Sequence, residues 1–300
     1  NTSMLTLVLP CYNEELRLPE QQFLDYLSSG AEQASTRLLF VDDGSTDGTV
    51  ALLERIVSAA PPGRASILRL ETNQGKAEAV RRGMLQAVAA RECTLVGFWD
   101  SDLATPLGAV VQLAQELSQR EKKQMVFGAR VALLGRDIRR SAKRHYLGRV
   151  FATLASLALQ MPIYDTQCGA KLFRVTSTLR SAIATPFLTR WVFDVELIAR
   201  FVALAEGSGE ASVESSIVEY PLHSWEDVAG SKVKPTDIIR MAVGLARIRY
   251  VYFLHTWPSG RRRGDKLIEE LCVLGLVGIA VLTVLCALGL LLYLATIRCS

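Results

Sequence analysis

Apolar residues fall along the first half of the chain in short continuous runs separated by amphipathic stretches. Met4–Pro10, Arg37–Val41, Ser66–Leu70, Cys93–Trp99 and Gln124–Gly128 are such runs, each bounded by turn-forming residues, as expected of strands buried on both faces. Between them the spacing predicts helices from about Val50, through Ala89 after Lys76, and from Pro106 to about Gln119. Alternating strand and helix predict an α/β fold, a Rossmann-like, mostly parallel sheet with helices on both faces.

Beyond Gly128 the pattern changes. Tyr146–Met161 is apolar almost all round its helix, and Asp237–Trp257 sets Arg240, Arg247 and Arg249 among Ile238, Val243, Leu245, Ile248, Tyr250, Tyr252 and Phe253. Both read as helices lying in a membrane interface, the alternative for each being a core helix. Leu271–Ile297 carries no charge over 27 residues, about 40 Å of helix, enough to cross a bilayer with some tilt. Arg261, Arg262, Arg263 and Lys266 precede it and Arg298 follows, so the larger domain is expected on the cytosolic side. The chain thus divides into a globular domain (4–234), an interfacial helix with a basic linker (235–266) and a C-terminal transmembrane helix (267–298). No apolar run follows a basic start, so no secretory leader is expected in these residues.

Composition changes this picture little. Half of the 300 residues are hydrophobic, which excludes disorder, and the six cysteines show no paired or metal-type spacing, so a reduced cytoplasmic setting is expected. The net charge of +4 is small, but basic residues cluster at Arg136–Arg149 and Arg261–Arg263. Such clusters suit phosphates or anionic lipid, and no nucleic-acid module accompanies them.

The chemistry gathers where strands end. Cys93–Trp99 stops at Asp100-Ser101-Asp102, which delivers two carboxylates to the carboxyl edge of the sheet. A divalent cation held by one or two carboxylates plus diphosphate oxygens would explain the pair, although an Asp-x-Asp also arises by chance. Arg37–Val41 ends in Asp42-Asp43-Gly44-Ser45-Thr46-Asp47-Gly48-Thr49, a grip for ribose or base, or a plain turn and helix cap. Lys76 lacks the upstream Gly and the following Ser or Thr of a P-loop, and no Gly-x-Gly-x-x-Gly is present.

Together Leu9-Pro10-Cys11-Tyr12-Asn13-Glu14, Val41–Thr49, Asn73-Gln74-Gly75-Lys76 and Asp100-Ser101-Asp102 resemble the GT-A glycosyltransferases of family 2. The resemblance implies a nucleoside-diphosphate sugar donor, with Pro10, Tyr12, Glu14, Asp42, Asp43, Lys76, Asp100 and Ser101 about the nucleotide and Asp102 with Asp100 on Mg²⁺ or Mn²⁺. The second half resembles the polyprenyl-phosphate sugar transferases, the dolichyl-phosphate β-glucosyltransferases above all, through Asp165–Phe173, Arg190–Glu196 and Gly230-Ser231-Lys232. That likeness implies Arg130 and Arg144 on the acceptor phosphate and Trp191, Asp194 and Glu196 on the sugar. Lys232 is a candidate third cation, on a loop that could close over the diphosphate.

Where mannose-transferring relatives carry Gln shortly after Asp-x-Asp this chain has Ala104, which speaks against a mannosyl donor; UDP-glucose is the donor expected from the resemblance. The expected partners are a UDP-sugar, dolichyl or polyprenyl phosphate and a bilayer, with a homo-oligomer left open. Two alternatives stay open: transfer to a saccharide or lipid hydroxyl, and a non-catalytic membrane adaptor. The Gln-x-x-Arg-Trp of processive synthases is absent, because Phe187 stands where Gln would.

Overall fold

The computed structural model describes residues 4–30, 35–208, 213–228 and 235–254, together with Gly275. Its first half alternates as the pattern requires: β1 (Met4–Cys11), α1 (Glu20–Ser28), β2 (Thr36–Asp42), α2 (Thr49–Ala59), β3 (Ala65–Arg69), α3 (Lys76–Ala89), β4 (Cys93–Trp99) and α4 (Ala109–Gln119). Then come β5 (Met125–Ala129), β6 (Asp137–Arg139), α5 (Ala142–Leu159), β7 (Ala170–Arg174), α6 (Ser177–Ala184) and α7 (Phe193–Ser208). β8 (Ile217–Pro221), β9 (Ser224–Glu226) and α8 (Pro235–Arg249) follow, and α8 runs into a π-helical turn, Tyr250–Leu254.

One sheet of seven strands runs in the order β3-β2-β1-β4-β7-β5-β8, and a small parallel pair, β6-β9, stands beside it. Every main-sheet strand is parallel to its fellows except β7, which pairs antiparallel with both β4 and β5. That single reversal fixes the site. Six strands end at one edge and β7 begins there, so the residues after β1, β2, β4 and β5 meet those before β7. The pleat divides the core: Leu5, Leu7 and Leu9 face α1, α2 and α4, while Val8, Val96 and Phe98 face α3, α6 and α7.

The two helices read as interfacial are partly core elements. Leu245, Ala246, Ile248 and Phe253 join the core, and Arg249 Nη1 donates to the Ala158 carbonyl at 3.4 Å, so one stripe of α8 packs on α5. On α5, Ala152, Ala155, Ala158 and Leu159 are buried, whereas Tyr146 (58%) and Leu157 (64%) stand exposed. The outward remainder of each apolar surface is what the interfacial reading retains. Among the described residues no helix is long and apolar enough to cross a membrane, and the span expected at 271–297, Gly275 apart, lies outside them with the basic run before it.

Candidate active site

The site is built by stitching three loops at the carboxyl edge. After β1, Asn13 takes a positive φ of 50° and donates its N–H to Ser45 Oγ (3.0 Å), while its Oδ1 accepts the Thr46 amide (2.9 Å). The Glu14 amide donates to Thr49 Oγ1 (2.7 Å), and the Glu15 carboxylate accepts the Gly48 amide (2.9 Å). Asp43 then secures the third loop, each oxygen accepting one amide, from Gln74 and Gly75, at 2.8 Å. Burial raises the Asp43 pKa in spite of those two donors. Gly44, at φ +71°, is required: a Cβ there would lie 2.8 Å from the backbone of Thr72 and Asn73. The ends of β1 and β2 and the loops after them, which carry Pro10, Tyr12, Glu14, Asp42 and Asp43, therefore lie side by side.

The two acids follow β4. The Asp100 amide donates to the Gly169 carbonyl (3.0 Å) and the Trp99 indole to the Thr105 carbonyl (2.7 Å), which fixes the turn from both sides. Lys76, opening α3, forms an ion pair with Asp100 Oδ1. Arg17 Nη2 lies 2.6 Å from Asp102 Oδ2 and its Nη1 3.2 Å from Glu14. Burial works against charge on Asp100, but Lys76, Lys171 and Arg130 outweigh it and lower the pKa, whereas burial and the charge of Asp100 raise that of Asp102. Burial also works against the Lys76 ammonium, yet Asp100, Asp194 and Asp102 hold its pKa above the ordinary value. Two neighbouring carboxylates that both keep part of their surface open to solvent offer the hard oxygen donors a divalent ion takes. Among the described residues no third His, Cys, Asp or Glu joins them, so phosphate oxygens and water would complete the shell.

On the far side of β4 lies a basic pocket. Arg130, closing β5, makes a two-pronged pair with Asp165 (2.7 and 2.8 Å) and lies 5.3 Å from the Trp225 ring. Burial opposes its charge, but Asp165 raises the guanidinium pKa and is lowered in return. Arg130, Arg140, His145, Arg149, Tyr164, Asp165 and Gln167 line the pocket, with Arg149 stacked 3.7 Å over the Tyr164 ring. Cys168, behind it, is driven up to about 11 by burial. Arg144 falls in the first turn of α5, where its side chain lies outside the described residues, as does Lys232 altogether.

Of the expected sugar contacts, Trp191 is exposed (38%). Asp194 is buried, 2.9 Å from the ammonium of Lys171, itself buried near the rings of Phe98 and Phe127. Glu196 is fully buried and holds Arg200, Tyr252 and the amides of Leu188 and Thr189. Ser101 is buried in the turn. Sequence reasoning gave no role to Arg17, Asp165 and Lys171, and had Arg149 only as the end of a basic cluster. Asp165 and Lys171 stood inside a quoted motif without a role, while nothing local marked Arg17, whose partner comes from a neighbouring strand.

Residues 6–179 match the family described as Glycosyl transferase family 2. This chain belongs to that family. As a family 2 glycosyltransferase it is 32% identical over 263 residues to the dolichyl-phosphate beta-glucosyltransferase of Dictyostelium discoideum, covering 84% of this chain and 76% of that one. Its fold is shared with the mannosyltransferase PcManGT of Pyrobaculum calidifontis, solved with GDP-Man and Mn²⁺ (TM-score 0.57, 15% identity, 99% of this chain and 80% of that one). It is shared also with the glucosyl-3-phosphoglycerate synthase of Mycobacterium tuberculosis, solved with Mn²⁺ and UDP-glucose (TM-score 0.56, 19% identity, 82% and 77%). The family 2 assignment makes this chain a glycosyltransferase.

Proposed function

We propose that this glycosyltransferase moves glucose from UDP-glucose to dolichyl or a related polyprenyl phosphate at the cytosolic face of a membrane, inverting the anomeric centre to give a β-linked sugar phosphate. The observation that carries the reading is the basic pocket beside the acid pair, where Arg130, Arg140, Arg149 and His145 converge. Guanidinium groups pair with phosphate through a fork and stay charged at every working pH. The name of the Dictyostelium relative supports glucose as the sugar and dolichyl phosphate as the acceptor.

A phosphate oxygen is already ionised near pH 7, its second pKa lying near 6, so the acceptor attacks without a protein base. The carboxylates nearby have other duties: Asp165 holds Arg130, Asp194 faces Lys171, and Glu219 accepts the amides of Tyr164 and Asp165. Asp100 and Asp102 would hold Mg²⁺ or Mn²⁺, which when bound would supply counter-charge for the departing diphosphate. Lys76, kept cationic by its acidic neighbours, adds a positive charge at the same place, and Arg17 holds Asp102 in position. Arg130 and Arg144 offset the repulsion between donor and acceptor anions, with Lys232 as a third cation for the phosphates, and Trp191 meets the sugar. The span 271–297 anchors the enzyme, with the outer stripes of α5 and α8 against the lipid.

The test is transfer by the full chain in membranes, with a panel of labelled nucleotide sugars and a polyprenyl phosphate. UDP-glucose and the phosphate should give product, and efficient glycosylation of the unphosphorylated polyprenol instead would overturn the reading. Arg144→Ala should raise the acceptor KM by about tenfold or more, the cost of one charge-assisted contact, and leave the donor KM unchanged. Arg144→Lys should restore part of it, since an ammonium lacks the fork. In a pH profile, kcat/KM for the acceptor should rise as the dianion forms near pH 6. It should then stay level to about pH 9, because the pKa of Lys76 is raised and its charge persists. A decline between pH 7 and 9 would contradict that assignment.

A further inference from the structure

The stretch between α6 and α7 brings Arg190 and Trp191 to the site. Atoms of the Arg190 side chain lie 3.6–3.7 Å from where a Cβ on Gly75 would stand, and its charge acts on Asp43. Gln167 Nε2 donates to the Trp191 carbonyl at 3.4 Å, so the loop touches both the donor loops and the basic pocket. It contains no helix or strand, and one buried network holds it.

Arg200 on α7 donates to the carbonyls of Ala182 (2.7 Å), Thr185 (2.8 Å) and Pro186 (2.6 Å). Its Nη2 also reaches Glu196 Oε1 at 2.8 Å. Glu196 accepts the amides of Leu188 (2.9 Å) and Thr189 (3.2 Å). The third member arrives from the π-helical turn after α8: Tyr252 donates its hydroxyl to Glu196 Oε1 (3.0 Å) and accepts from Arg200 Nε (3.0 Å). Backbone groups on four of the five residues 185 to 189, all but Phe187, thus hang on two side chains that Tyr252 braces. Interlocked buried bonds of this kind hold one geometry.

We infer that Tyr252, acting through Glu196 and Arg200, is a positioning residue that sets the Arg190–Trp191 loop against the nucleotide-sugar side of the site. The inference rests on the donor-side reading of the loops but on neither the identity of the sugar nor that of the acceptor. Tyr252→Phe keeps the ring and both buried charges and removes only the hydroxyl. In the full chain, with whichever nucleotide sugar the wild type turns over, the donor KM should rise about fivefold. The acceptor KM and melting temperature should hold, and hydrogen exchange at Leu188 and Thr189 should quicken. Arg190→Ala should raise the donor KM as well, and the double variant should add little to it, because Tyr252 would act through the loop that carries Arg190. Unchanged donor KM in Tyr252→Phe, an equal rise for donor and acceptor, or full additivity with Arg190→Ala would each overturn the inference. Loss of the proposed function would show separately, as a wild type that turns over no UDP-glucose.

Discussion

Asp102→Asn will abolish sugar transfer, lowering kcat by about three orders of magnitude or more, the scale for losing a group that balances charge in the transition state. The substitution changes no volume and removes one charge from a side chain that is 20% exposed. Arg17 keeps its contact with Glu14, so the loop after β1 stays in place and the melting temperature should hold. Asp100 alone cannot replace it, because its Oδ1 faces Lys76 and the remaining donors near the cation would be phosphate oxygens and water. Excess EDTA on the wild type should have the same effect, and added Mn²⁺ should reverse the chelation but not the substitution. Full turnover in EDTA would remove the divalent ion from the mechanism.

Gly169→Ala should cost about two to three orders of magnitude without touching any charged group. A Cβ at this position would overlap the Asp100 carboxylate, while the Gly169 carbonyl holds the Asp100 amide at 3.0 Å. The side chain would have to swing away from Lys76 with its backbone still pinned, and a displacement of about 1 Å at a reacting centre costs on the order of a hundredfold. Because the clash is local, the β4–β7 ladder from Trp99 and Ala170 onward should survive and circular dichroism should match the wild type. The decisive measurement is nucleotide-sugar turnover beside thermal unfolding. Normal turnover would mean that Asp100 has room the geometry denies it.

Much of the first half was legible because β1, β2 and β4 are largely buried on both faces and show as apolar runs, whereas β3, at the edge of the sheet, is only partly covered. β7 escaped this reading because Lys171 interrupts Ala170-Lys171-Leu172-Phe173. Burial of that lysine is tolerable only beside Asp194 and the Cys168 carbonyl, partners that sequence spacing cannot reveal. β8 alternates as an edge strand, too short for its period to stand out. At the site, Asp100 and Asp102 were readable from the strand that ends in them. Arg17 became visible only once β1 lay beside β4, and the burial of Glu196 turned on Arg200 one helical turn later.

The reversed strand also governs the order in which the molecule can assemble. β3, β2, β1 and β4 need only one another and can associate as soon as Trp99 has emerged from the ribosome. β5 follows at once in the sequence, yet its partners are β7 and β8, so it must wait with both edges unpaired until Arg174 is made. At about 5–20 residues per second that interval is roughly 2–9 seconds. Throughout it the outer edge of β4 is exposed as well, next to Phe98 and Trp99, and bare edges of apolar strands readily take a foreign partner. Translation speed across α5 therefore sets how long the nascent chain remains open to misassembly.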